Sequence, residues 1–165
     1  MIKFYRTDDR KIHEEGGIVP GGWIDMVNPT VAEGELIAKR LQIDIQDLLA
    51  ALDEEESSRV ELEDGYTLIL VDIPTIEIRH DKEAYTTIPL GIILTQDIII
   101  TICTEETPVL QAFVNGRVKE FSTKKKMRFV YQILFRVARY IRMIFVSLIR
   151  NELRLRNALM MIPKT

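Results

Sequence analysis

Cysteine and histidine are scarce in this chain of 165 residues: Cys103 stands alone, and the histidines are His13 and His80. A lone cysteine excludes an internal disulfide framework and fits a reducing compartment. So few sulfur and imidazole ligands also exclude a zinc site of the usual composition. The glycines read as turn residues, and no phosphate loop or dinucleotide fingerprint is present. Long apolar runs are missing too. The most apolar stretch, residues 143–149, is fenced by Arg142 and Arg150, whereas a membrane span needs roughly 20 apolar residues. The start, Met1-Ile2-Lys3-Phe4-Tyr5-Arg6, lacks the long apolar segment of a signal peptide. These absences predict a soluble cytoplasmic chain and leave no positive sign of an enzyme.

What is present is an asymmetry of charge. Residues 117–165 carry 13 Lys+Arg and 2 Asp+Glu, against 9 and 23 in residues 1–116. A net charge of −3 therefore hides an acidic body joined to a basic tail, a pattern that points to an electrostatic partner or a membrane surface. The expected division is an α/β domain over residues 1–122 and a helical region over 123–165.

The pattern along the chain predicts strands over Ile2–Tyr5 and Trp23–Val27. Thr30, with Glu33 three residues later, predicts a helix opened by a capping box. Asp44 caps a second short helix reaching Leu52. Arg59–Glu63 and Tyr66–Ile73 flank Asp64-Gly65 as a hairpin. Ile88–Leu94 and Ile98–Cys103 flank Thr95-Gln96-Asp97 as another. The last of these strands is so rich in β-branched residues that it is expected at the sheet centre, buried on both faces. Thr107-Pro108 opens a helix through Phe113. From about Lys124 a basic amphipathic helix follows, with Arg128, Arg136, Arg139, Arg142, Arg150 and Arg154 on one stripe at helical period. Nothing in its local chemistry decides between one rod and two packed helices.

Candidate chemistry is sparse. Asp53-Glu54-Glu55-Glu56 reads either as a solvated acidic loop or as a weak site for a hard divalent cation such as Mg²⁺, which takes carboxylate oxygens and keeps several waters. His13 and His80 sit beside acids in predicted loops and read as surface residues. Cys103 ends a buried strand and reads as a small core residue. The basic stripe offers phosphate contacts, or a face for acidic surfaces of its own domain or of a sister subunit. It lacks the interleaved aromatics of a nucleic-acid binder, so no nucleic-acid partner is expected.

Three stretches in order then resemble one family: Trp23-Ile24-Asp25-Met26-Val27-Asn28-Pro29-Thr30, next Leu52-Asp53-Glu54-Glu55-Glu56-Ser57-Ser58-Arg59 with Asp64-Gly65-Tyr66, and last Pro89–Leu94 with Asp97–Ile102. Together they resemble the cytosolic N-terminal domain of the CorA family of magnesium transporters. The resemblance implies a mixed central β-sheet sandwiched by helices, followed by a long helix leading toward membrane helices that lie outside this sequence. It implies a homo-oligomer, pentameric for the full-length protein, at the cytoplasmic face of the membrane. It further implies a domain that binds regulatory Mg²⁺ and contributes to gating without conducting ions itself. Cobalt-handling and zinc-exporting relatives share this domain. Members often carry an Asp where this chain has Ala50, which leaves Asp47, Asp53, Glu54, Glu55 and Glu56 as the candidate ligands. The alternative is a free-standing soluble protein that docks protein or nucleic acid on its basic helix.

Overall fold

The structure, a computed structural model, describes residues 1–79 and 82–160. Seven strands form one sheet in the order β2-β1-β3-β7-β6-β5-β4. They are β1 (Ile2–Asp8), β2 (Lys11–Glu15), β3 (Trp23–Val27), β4 (Arg59–Glu63), β5 (Tyr66–Arg79), β6 (Lys82–Thr95) and β7 (Ile99–Cys103). β3 and β7 pair in parallel, Trp23 opposite Ile99 and Val27 opposite Cys103. The other ladders are antiparallel. The sheet is mixed and covered by helices on both faces, as the family resemblance implies.

Alternation along the central strands sorts side chains to two cores. Ile24, Met26, Leu68, Leu70, Ile93, Ile100 and Ile102 point to one face. There α1 (Val31–Leu41), α2 (Ile45–Leu49) and a 3₁₀ turn (Ala50–Leu52) lie. Thr30 accepts the Glu33 N–H while Glu33 accepts the Thr30 N–H, the expected capping box. The predicted helix to Leu52 ends instead at Leu49 and tightens into the 3₁₀ turn. Gly91 lets that turn approach the sheet: a Cβ there would stand 3.0 Å from the Ala51 Cβ.

On the opposite face, Trp23, Ile73, Leu90, Ile92 and Ile99 meet α3 (Pro108–Val114) and α4 (Lys126–Met160). Rings dominate here. Trp23 contacts Phe113, Phe121 and Phe129 at centroid distances of 6.5, 6.2 and 5.0 Å, in the edge-on geometries that ring quadrupoles favour. The chain entering α4 is clipped to β1. Thr7 N–H donates to Thr123 Oγ1 and Thr123 N–H donates to Thr7 Oγ1. Lys126 Nζ donates to the carbonyls of Thr95 and Gln96 in the β6–β7 turn.

One open choice closes and two expectations need correction. α4 is one continuous helix, 35 residues long, so of one rod and two packed helices the structure has one. Strands β5 and β6 run 14 residues each, well past the predicted limits. His13 lies on a strand, β2, rather than in a loop, though it is exposed there as expected. His80 lies outside the described residues.

Candidate functional site

The five candidate cation ligands lie at one end of the helical layer, where α2 gives way to the loop before β4. Asp44 caps α2 by accepting the Gln46 N–H at 2.8 Å, which turns Asp47 toward β5. There the Tyr66 hydroxyl donates to Asp47 Oδ2 at 2.5 Å. Burial, and next the Asp47 hydrogen bond, push the Tyr66 phenol up to about 12. Its proton therefore stays and one Asp47 oxygen stays engaged. Asp53 Oδ1 accepts the Glu55 N–H at 3.0 Å, an Asx-type turn that fixes the loop. Glu56 is claimed by Arg59, which also holds Glu61 at 2.8 Å. Glu54 and Glu55 are exposed.

Asp47 and the run from Asp53 to Glu56 do not converge on a common point. Among the described residues, no three His, Cys, Asp or Glu side chains are placed to hold a metal ion together. The structure does assemble a different acidic groove: Asp44, Asp47, Glu63 and Asp64 line an open depression around Tyr66. Sequence reading named Asp44 as a cap and Asp64 as part of a hairpin. It did not join them, because their meeting depends on how α2 packs beside the β4–β5 turn.

A second polar feature escaped sequence reading. Asp25, in β3, is buried, and the Thr101 hydroxyl donates to its Oδ1 at 2.8 Å. The Trp23 indole N–H in turn donates to Thr101 Oγ1 at 2.8 Å. Burial raises the Asp25 carboxyl to about 6, against the lowering effect of the Thr101 bond. Tyr5 is pushed up to about 12, by burial first and the Asp25 charge next. The available signal was an Asp inside an otherwise apolar strand. Cys103 is buried in the core, and burial lifts its thiol to about 11. It is a packed thiol, not a poised nucleophile.

With the geometry described, the chain can be compared with known proteins. Its architecture is that of the soluble domain of CorA from Methanocaldococcus jannaschii, with a TM-score of 0.80 at 23% identity over 97% of this chain and 64% of that one. The complete structure of the CorA magnesium transporter from the same organism aligns with a TM-score of 0.76 at 20% identity, over 99% of this chain and 52% of that chain. The cytoplasmic domain of ZntB from Vibrio parahaemolyticus shares the fold more distantly, with a TM-score of 0.65 at 12% identity over 88% of this chain and 60% of that one. The fold class is thus that of the soluble domains of CorA-type proteins. The model of the CorA-like Mg²⁺ transporter protein family matches residues 21–161, and the chain belongs to that family. A curated relative, the cobalt/magnesium transport protein CorA of M. jannaschii, is 31% identical over 110 residues, 67% of this chain and 32% of the relative. This chain thus spans about a third of that relative's length. No helix among the described residues is long and apolar enough to cross a membrane.

Proposed function

We propose that this chain is the cytosolic regulatory domain of a CorA-like transporter of magnesium, with cobalt as a further cargo. It works at the cytoplasmic face of the membrane, contributes to a homo-oligomer, pentameric in the full-length protein, and takes part in magnesium-dependent gating. It is neither a conducting pore nor an enzyme. The observation that carries this reading is the family match over residues 21–161, which takes in β3, both helical layers and all of α4.

The acidic end of the helical layer supports the regulatory part. Asp53, Glu54 and Glu55 are exposed, and they do not form a closed set with Asp47 in one chain. A site completed by carboxylates of a neighbouring subunit binds Mg²⁺ only in the assembled state, so the cation stabilises that state by mass action. Few carboxylates and several retained waters set the affinity in the millimolar range. The test is thermal melting and sedimentation of the chain in millimolar MgCl₂, against NaCl of equal ionic strength. Magnesium should raise the melting temperature or shift the assembly state, and the triple substitution Asp53→Asn, Glu54→Gln, Glu55→Gln should remove the effect. If neither quantity responds to magnesium, the sensing role fails.

A further inference from the structure

Among the described residues, Asp25 is the only acid that the fold buries, at 5% exposure. Alternation along β3 puts it on the face of Trp23, where α3 and the chain leading into α3 lie. No Lys, Arg or His forms an ion pair with it among the described residues. Its Oδ1 has the Thr101 hydroxyl alone to answer it. An isolated carboxylate is too costly to keep charged in such a place, and the group takes up a proton instead.

Every element packed around Asp25 bears on that proton. Lys3 of β1 stands opposite it in register on one side, and Thr101 of β7 on the other. Glu106 belongs to the connection from β7 to α3, residues 104–107. Burial, the largest influence, and Glu106 favour the neutral acid, whereas the Thr101 bond and Lys3 favour the anion. Tyr5 and Cys103 are titratable groups within reach of its charge, and burial keeps both protonated. Glu14 and Glu105 act on these two from further out. Helix α3 itself holds no titratable residue.

The connection that carries Glu106 is also the cap of α3. Thr107 Oγ1 accepts the Val109 N–H at 3.2 Å, and the Thr107 carbonyl accepts the Gln111 N–H at 3.0 Å. We propose that Asp25 is a proton-operated latch on this segment. Neutral, it lets residues 104–107 close over the joint between β3 and β7. Ionised, it repels Glu106 and draws water, so the connection lifts and the first turn of α3 loosens. Phe113 of α3 lies 4.8 Å from Phe129 of α4, so the change passes to the long helix. No bound cation enters this inference, and it stands apart from the regulatory reading above.

The test is native-state amide exchange of the 165-residue chain, read at Val109 and Gln111 and corrected for the intrinsic effect of pH. The carboxyl stands at 3.8 when free and at about 6 in the closed form. Each pH unit is a tenfold change in equilibrium constant, so the opening constant should rise up to about a hundredfold and level off above about pH 6. Low urea should leave this exchange unchanged, because a local opening exposes little surface. Asp25→Asn should abolish the rise. Glu106→Gln should move its upper end to lower pH, and Lys3→Met to higher pH. Glu106 is exposed, so its variant should fold even where another does not. A pH-independent opening constant overturns the proposal. So does exchange at Val109 and Gln111 that follows urea in step with the amides of β5 and β6, which marks global unfolding, or a rise that Glu106→Gln leaves in place.

Discussion

Asp25→Asn should remove a pH dependence of stability that the wild type carries at this buried carboxyl. The Asp25 carboxyl stands at 3.8 when free and at about 6 in the fold, chiefly through burial. The folded chain therefore holds this proton where the unfolded chain has released it. The resulting stabilisation is complete below the unfolded value and is lost as pH rises through about 6. Each pH unit of separation corresponds to 1.36 kcal/mol, so the loss approaches about 3 kcal/mol above the window. Asparagine cannot ionise, and its Oδ1 can still accept from the Thr101 hydroxyl. The free-energy difference between variant and wild type should thus move by about 3 kcal/mol in favour of the variant between about pH 3 and about pH 8. In thermal melts this is a relative gain of about 6–12 °C for a chain of this size. Taking the difference at each pH cancels the other carboxylates. Any fixed effect of the amide, such as an imperfectly paired N–H, shifts the curve without changing its shape. A difference curve that stays flat across the range would refute the reasoning, and so would a variant whose advantage is confined to low pH.

The remaining predictions concern packing and capping. Gly91→Val should destabilise by about 1–3 kcal/mol in urea denaturation, because the new side chain meets the 3₁₀ turn already in near contact; Gly91→Ala should cost less. Phe129→Ala should cost about 3–5 kcal/mol and alter the emission of Trp23, whose ring lies 5.0 Å away. Thr30→Ala should cost about 1 kcal/mol in the same assay through loss of the capping box.

Local chemistry made much of the fold readable. The Thr30 capping box, the Asp64-Gly65 hairpin, the Pro-initiated α3 and the β-branched β7 each announce themselves within a few residues. What stayed hidden depended on partners. The predicted strand stops at Ile73, yet β5 continues through Pro74 to Arg79. The β4 ladder ends at the Arg59–Leu70 pair, so β5 has an open side at Pro74, and its missing N–H leaves no ladder bond unmade there. Pro89 is tolerated for the same reason, since the β6–β7 ladder stops at Leu90. β2 escaped because Lys11–Glu15 is mostly polar, and its turn uses Asp9 and Arg10 at positive φ rather than a glycine. For the candidate site, the acids were legible as residue types but their grouping was not. Asp47 was foreseen, whereas its meeting with Glu63, Asp64 and Tyr66 required knowing how α2 lies on the sheet.

The single parallel ladder has a kinetic consequence. β1, β2 and β3 pair among themselves, and β4 through β7 pair in sequence order, so each group can form from local hairpins. The joint between them, β3 against β7, closes residues far apart in the chain, and non-local closure is the slow kind of step. The protein's one tryptophan sits on that joint, its indole N–H bound to Thr101 on the opposite strand. In a stopped-flow refolding experiment its fluorescence would therefore follow the union of the two halves rather than the formation of either. A lag between the recovery of β-sheet ellipticity and that of Trp23 emission would measure how long the halves wait for each other.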